Sequence, residues 1–359
     1  MQPKYQTIAS ELRIHIQAGK YKNLNMLPTE FMLMDEYQVS RQTIRQALAI
    51  LEKEGYIEKR RGSGSHILHP KALEPGPVSH TRTIAVVTTY ISNYIFPSIL
   101  REVENILSQN GCVPLLFATQ NQVSIERKIL QNLLGTQIEG IIIEGTKTAL
   151  PNPNLDLLRT LLEKKIPLVF INGSYSQLQD VVSVLDDNEG GGRMLVEYLA
   201  AKGHKKIAGV FKDDDMQGHG RYLGYASALQ HCGLPLDDSL VLWYSTDIRS
   251  VLFSDEVIFP IVRRWQEENC TAIICYNDDL ACQLIPILAK CGLSVPDDIS
   301  IVSFDNSYLC EIGSPPITSL SHGATNVGSV AAKKLLALMQ GQEAHSELLP
   351  WEIVERVSG

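Results

Sequence analysis

Ser40-Arg-Gln-Thr-Ile-Arg-Gln-Ala-Leu-Ala-Ile-Leu-Glu-Lys-Glu-Gly55 decides how the N-terminal part of the chain folds. Ser40 stands where an N-cap belongs, because its hydroxyl can accept from the free N–H groups of a first helical turn. Ile44, Leu48 and Leu51 recur at helical spacing on one face, and Gly55 offers a C′ stop. The stretch predicts a helix over 41–54 with a buried apolar rear. Arg41, Gln42 and Arg45 lie on the opposite side, in a polar first turn open to a ligand.

On the N-terminal side, Tyr5, Ile8, Ala9, Leu12 and Ile16 predict a helix over 5–18, closed by Gly19. Glu30 to Tyr37 reads as a second helix, with Phe31, Leu33 and Met34 offered to the core. On the C-terminal side, residues 56–60 and 66–68 flank Arg61-Gly62-Ser63-Gly64-Ser65, the pattern of a hairpin with a glycine-rich tip. Three helices and a hairpin make one small domain. A helix-turn-helix lays its second helix in the major groove. There Arg can grip guanine, Gln can grip adenine, and Thr43 can meet a base or a phosphate. The tip, beside Lys59, Arg60 and Arg61, lets backbone approach a phosphate or the minor groove. Isolated arginines on a helix are usually just solvated. Here cap, polar first turn, apolar rear and glycine wing occur together, which favours DNA contact.

Charge agrees with this division. The 359 residues sum to a formal net charge of −8. Residues 1–70 hold ten Lys/Arg against seven Asp/Glu, net +3, while the remaining 289 hold 22 against 33, net −11. A basic head on an acidic body points to nucleic acid at the head. With 44% hydrophobic and 20% charged residues, disordered and collagen-like classes are excluded. The seven Cys form no Cys-x-x-Cys pair, so reduced thiols in a cytoplasm are expected rather than a zinc ribbon or redox site. Neither a signal-type apolar segment nor an 18-residue apolar run appears, so the expected location is cytoplasmic, with no membrane partner.

Residues 1–69 thus read as the DNA-binding head and 70–82, with Pro70, Pro75, Gly76 and Pro77, as a linker. From 83 to 359 apolar strand-length runs alternate with helical stretches, which predicts α/β architecture with doubly wound parallel sheets. So long a body is expected to form two lobes with a site between them. Ligands bind at the carboxyl ends of such strands, which singles out Tyr90, Glu144, Asn172, Lys212, Asn277 and Asp305. Polar groups at Glu144, Lys212, Arg221, Asn277 and Asp305 suit sugar hydroxyls, and Tyr90, Tyr94 and Phe96 can face an apolar ring. His322 reads equally as a ligand contact or a hinge residue. Asp213-Asp214-Asp215 reads as a solvated loop rather than a metal site, Asp187 as a helix cap, and Gly190-Gly-Gly192 as a close-packed helix start. The motifs give no catalytic residues, no metal and no cofactor: Gly-x-Ser-x-Gly, Walker and zinc signatures are absent.

Residues 3–68 resemble the GntR-family winged helix-turn-helix. The resemblance is carried by Leu27-Pro28-Thr29-Glu30, Val39-Ser40-Arg41, Thr43-Ile44-Arg45, Ala47-Leu48, Gly55-Tyr56-Ile57 and Gly62-Ser63-Gly64. It implies DNA contacts at Lys4, Glu30, Ser40, Arg41, Gln42, Thr43 and Arg45, with Arg61, Gly62, Ser63 and Gly64 at the wing tip. Gln38 departs from the pattern, which usually has Gly there. The body resembles the periplasmic-binding-protein-like effector domain of LacI/GalR regulators. It does so through Pro167–Asn172, Val184–Asp187, Arg221-Tyr-Leu-Gly224-Tyr225, Cys275–Asp278, Val295–Val302 and Phe304-Asp305. Glu144, Arg221, Asn277 and Asp305 match the effector positions of that family.

Through Val169–Asn172, Gly209-Val-Phe-Lys212 with Asp214-Asp215 and Gln217-Gly218, Cys275–Asp278, and Ser300–Val302 with Asp305, nearly the whole chain resembles the arabinose-responsive repressors. The resemblance implies a homodimeric repressor that leaves double-stranded operator DNA when a small sugar, L-arabinose, binds. The same architecture with another pentose, a hexose, a purine or a sugar phosphate is the alternative. An α/β sugar-acting enzyme with a DNA-binding head ranks below it.

Overall fold

The computed structural model describes residues 4–17, 20–21, 26–53, 56–60, 64–67, 82–178 and 180–359. The chain divides into two compact units, Met1–His80 and Thr81–Gly359. Gly19, Gly55, the tip residues Arg61, Gly62 and Ser63, and most of the expected linker lie outside the described residues.

In the first unit, helices Lys4–Gln17, Glu30–Tyr37 and Arg41–Lys53 precede an antiparallel pair, Ile57–Arg60 with Gly64–Ile67. Ile8, Leu12, Leu33, Ile44, Leu48 and Leu51 form its core. Thr29 caps the second helix by accepting from the Met32 N–H at 3.3 Å. That helix ends on Gln38, which takes the left-handed conformation (φ 51°) usual for glycine and returns its N–H to Met34 O. Phe31 does not enter the core. It is 78% exposed, and Leu33 alone of this helix is buried. Eight residues expose two turns to one side only, and Leu33 takes the inward position.

The second unit holds two six-stranded sheets. In the first lobe the order is Glu347–Leu349, Val182–Asp186, Leu168–Ile171, Gly140–Glu144, Arg82–Thr88, Cys112–Ala118, all parallel. In the second it is Glu352–Val354, Thr318–Ser321, Ser300–Phe304, Ala272–Cys275, Ile207–Lys212, Val241–Tyr244, with only the first strand antiparallel. Helices cover both faces, and apolar clusters lie on either side of each sheet. Arg82 is strand rather than linker: it pairs with Cys112, and its guanidinium donates to Asn110 O at 2.6 Å.

The described chain passes between the lobes at three places: Asp186 to Asn188, Ser321 to Val327, and Leu349 to Glu352. Asp187 caps the helix after the first passage by accepting from Gly190 N–H at 2.9 Å. Glycines there serve packing. A Cβ on Gly192 would lie 2.2 Å from Arg221 O, and one on Gly224 2.0 Å from Glu189 O, so helices Asn188–Ala201 and Met216–His231 meet backbone to backbone. Among the described residues no helix is long and apolar enough to cross a membrane.

Candidate effector cleft and nucleic-acid interface

Strand ends converge between the lobes on a cleft of about 720 Å³. Tyr90, Tyr94, Phe96 and Glu144 line it from the first lobe, and Lys212, Arg221, Asn277 and Asp305 from the second. His322 does not line this cleft. It lies at the passages between lobes, where Nε2 meets Asp186 Oδ1 at 3.0 Å and Nδ1 meets Pro350 O at 2.8 Å. Its ring stacks on Trp351 at 3.7 Å. A hinge residue fits that position, because Asp186, His322 and Trp351 belong to the three separate passages.

Glu144 ends its strand buried and accepts from Thr89 N–H at 2.7 Å, Thr89 Oγ1 at 2.5 Å and Asn172 Nδ2 at 3.0 Å. Burial nonetheless holds its pKa above the ordinary carboxylate value. Across the cleft, Arg221 is 1% exposed. Its Nη2 reaches Asp305 Oδ1 at 3.2 Å, Nε reaches Asn188 Oδ1 at 3.0 Å, and Nη1 donates to Tyr276 O. The guanidinium lies against the rings of Phe304 and Tyr276 at 4.2 and 4.8 Å. Burial opposes its charge, but Asp305 and Asp186 outweigh burial and raise its pKa.

Lys212 contacts Asp214 at 2.9 Å and Asp215 at 2.8 Å. Burial again opposes the charge, and the two carboxylates prevail, raising the lysine pKa. Asp213 of the acidic run is exposed as a solvated loop requires, but Asp214 and Asp215 are not. Asp214 is 2% exposed and accepts from Thr246 N–H at 2.9 Å, while Asp215 caps helix Met216–His231 and accepts from Tyr276 OH at 2.8 Å. An adjacent lysine and a strand end draw these carboxylates inward. Among the described residues no group of His, Cys, Asp or Glu is placed to hold a metal ion.

Sequence reasoning missed Asn121, Asp215, Tyr244 and Thr246 in the cleft. Their signal was position: Asn121 follows strand Cys112–Ala118, and Tyr244 ends the unread strand Val241–Tyr244. Asn121 Nδ2 donates to Thr246 Oγ1 at 2.6 Å, and Lys147 Nζ meets Asp247 at 2.6 Å, so the lobes touch at this rim.

In the first unit, Arg41 and Arg45 stand exposed on helix Arg41–Lys53. Glu30 joins them, accepting from Arg41 Nε at 2.8 Å and from Arg45 Nε at 3.2 Å. Arg41 holds the Glu30 carboxyl below its ordinary pKa. Both pairs use Nε, so the terminal amino edges can still fork onto an acceptor. Ser40 Oγ lies 2.9 Å from Thr43 Oγ1 and accepts from Thr43 N–H at 3.3 Å, as an N-cap does. Gln42, Lys4 and Gly64 are exposed in the same unit.

Two family models match, bacterial regulatory proteins of the gntR family over residues 4–67 and the periplasmic binding protein-like domain over residues 196–358. The arabinose metabolism transcriptional repressor of Geobacillus stearothermophilus is 39% identical over 338 residues, covering 94% of this chain and 92% of its own. That of Halalkalibacterium halodurans is 32% identical over 342 residues, covering 95% and 90%. Among solved structures, transcription regulator CcpA of Lactococcus lactis is 26% identical with a TM-score of 0.67, over 77% of this chain and 99% of its own. With a gntR-type head, a LacI-type body and full-length likeness to these repressors, the chain belongs to the family of bacterial transcriptional repressors that includes the arabinose metabolism repressors.

Proposed function

We propose that the chain represses transcription as a homodimer on operator DNA and releases it when L-arabinose enters the cleft between the lobes. The observation that carries a neutral sugar is the pairing of the cleft's cations. Lys212 is held by Asp214 and Asp215, Arg221 by Asp305, and Arg249 by Asp279. A phosphate or carboxylate ligand needs unpaired cations, whereas sugar hydroxyls use acceptors and donors side by side. The names of the two repressors above support arabinose among neutral sugars.

Tyr90, Tyr94, Phe96, Glu144, Lys212, Arg221, Asn277 and Asp305 form the effector site in this reading. Lys4, Glu30, Ser40, Arg41, Gln42, Thr43, Arg45 and the wing tip contact DNA. Exposed Val113 and Leu116 on the edge strand Cys112–Ala118 offer apolar surface for a second copy. Residues 1–69 act as reader, 70–81 as linker and 82–359 as sensor, in the cytoplasm where the operator is.

A thermal-shift screen over pentoses, hexoses and their phosphates tests the effector. A ligand at a hundred times its Kd adds about 2.7 kcal/mol to the folded state. L-Arabinose is expected to raise the midpoint most. A larger shift with a sugar phosphate or a purine would contradict the neutral-sugar reading.

A further inference from the structure

We propose that Lys147 and Asp247 form a clasp across the outer rim of the cleft that sets how long a bound sugar stays. The clasp rests on the effector reading above. Lys147 lies in the loop after strand Gly140–Glu144 of the first lobe, and Asp247 in the loop after strand Val241–Tyr244 of the second. Lys147 Nζ meets Asp247 Oδ2 at 2.6 Å, and neither residue lines the cleft. Further crossings flank the pair. Asn121 Oδ1 accepts from Lys147 N–H at 2.9 Å, while Asn121 Nδ2 donates to Thr246 Oγ1 at 2.6 Å. Thr148 Oγ1 accepts from Met216 N–H at 2.9 Å, a donor that opens helix Met216–His231 and has no partner inside it.

The first-lobe side is held in place by a buried carboxylate. Glu126 is 0% exposed and accepts from Tyr175 OH at 2.7 Å, Asn152 Nδ2 at 2.8 Å and Asn154 Nδ2 at 2.7 Å. It also takes the Thr146 N–H at 3.3 Å, so one group pins both ends of the loop from Gly145 to Asn154. Lys147 sits in that loop in left-handed backbone (φ 45°), its side chain only 16% exposed. On the second-lobe side, Thr246 N–H donates to Asp214 Oδ2 at 2.9 Å, and Asp214 in turn holds Lys212 in the cleft. One chain of polar contacts thus links the rim to the site. These crossings join opposite lobes and exist only while the lobes are closed. A sugar enclosed between lobes leaves when they part, so a contact that opposes opening slows dissociation without touching the ligand.

The test uses the full-length chain and L-arabinose, with association and dissociation followed by tryptophan fluorescence in a stopped-flow instrument. Lys147→Asn and Asp247→Asn each remove one charge, and asparagine suits the left-handed backbone at position 147. Each is expected to speed dissociation about two- to fivefold, the scale of one partly exposed ion pair, and to leave the association rate unchanged. Raising the ionic strength from about 0.05 to about 0.5 M should speed dissociation from wild type and not from either variant, since a neutral sugar has no charge to screen. The charge swap, Lys147→Asp combined with Asp247→Lys, should restore slow dissociation. Neither residue belongs to an apolar cluster, so circular dichroism spectra matching wild type are expected. Equal dissociation rates in wild type and the single variants, or no rescue by the swap, would overturn the clasp and leave sugar binding standing. Failure of the wild type to bind L-arabinose would overturn the effector reading and the clasp with it.

Discussion

The Tyr94 hydroxyl donates to Asp305 Oδ2 at 2.7 Å from the opposite lobe. It also accepts from the Asp278 N–H at 3.1 Å. Both partners hold left-handed backbone, φ 61° at Tyr94 and 94° at Asp305. Such conformations cost about 1–3 kcal/mol each and persist where surrounding structure enforces them. The hydroxyl therefore acts as a latch across the cleft. Tyr94→Phe should open the lobes and weaken sugar binding about tenfold or more, the scale of a hydrogen bond to a charged group at about 1.5–3 kcal/mol. Calorimetric titration and small-angle scattering would measure both effects. Unchanged affinity would remove the latch.

Asp305 is expected to give the proposed sugar site a pH dependence. Burial pushes its pKa up to about 6, although Arg221 pulls the other way. Because the folded value lies above the unfolded one, its contribution to stability is present below about 3.9 and is lost as pH rises through about 6. The ionised form, able to accept from a sugar hydroxyl, exists above that value. Sugar affinity is expected to be flat above pH 7 and to fall below 6. In Asp305→Asn it should be weak at every pH, giving a repressor that responds poorly to inducer. Asparagine is the informative variant: Asp305→Ala would leave buried Arg221 short of its main partner, a loss of about 3–5 kcal/mol of stability. Retained induction in Asp305→Asn would remove this residue from the site.

His322 sets a second pH dependence, at the hinge. Both ring nitrogens face acceptors, Pro350 O and Asp186 Oδ1, so the doubly protonated ring satisfies both. Burial opposes that charge. Asp186, with help from Asp305, prevails and raises the pKa above 6.5, while Arg221 lies on the far side of Asp186 at 3.7 Å. A raised folded value means that stability is fully present below about 6.5 and is lost as pH climbs through it. The stability difference between wild type and His322→Gln should therefore shrink from pH 6 to pH 9 in urea unfolding. A constant difference would show the ring to be neutral.

The head and the sensor should fail separately. Arg45→Ala is expected to weaken operator binding by at least about tenfold and to leave sugar affinity unchanged. Glu30→Ala frees both arginines from their shared partner and should lower specific affinity more than non-specific affinity. Competition binding against unrelated DNA would measure the ratio. Equal losses on both DNAs would give Glu30 no part in reading.

The strand tips were the most legible feature. Tyr90, Glu144, Asn172, Lys212, Asn277 and Asp305 all line the cleft, because parallel strands entering one layer deliver their carboxyl ends to one edge. Strand Thr318–Ser321 escaped reading because it is polar although wholly buried. Its hydroxyls are used internally: Ser319 Oγ donates to Asp278 at 2.6 Å and Thr318 Oγ1 to Arg356 O at 3.1 Å. Helix Val327–Met339 also escaped, since it returns to the first lobe from the far end of the sequence. Asp214 looked like a surface residue because its partner, Lys212, joins it only once the strand end is buried. Burial decided by a distant partner leaves little local trace.

Allosteric release of operator by L-arabinose is measured by fluorescence titration of the sugar with and without operator DNA. Linkage requires that operator weaken sugar binding by the same factor by which sugar weakens operator binding. Sugar affinity is expected to be about 5- to 150-fold weaker in the presence of operator. Equal affinities in the two titrations would contradict it.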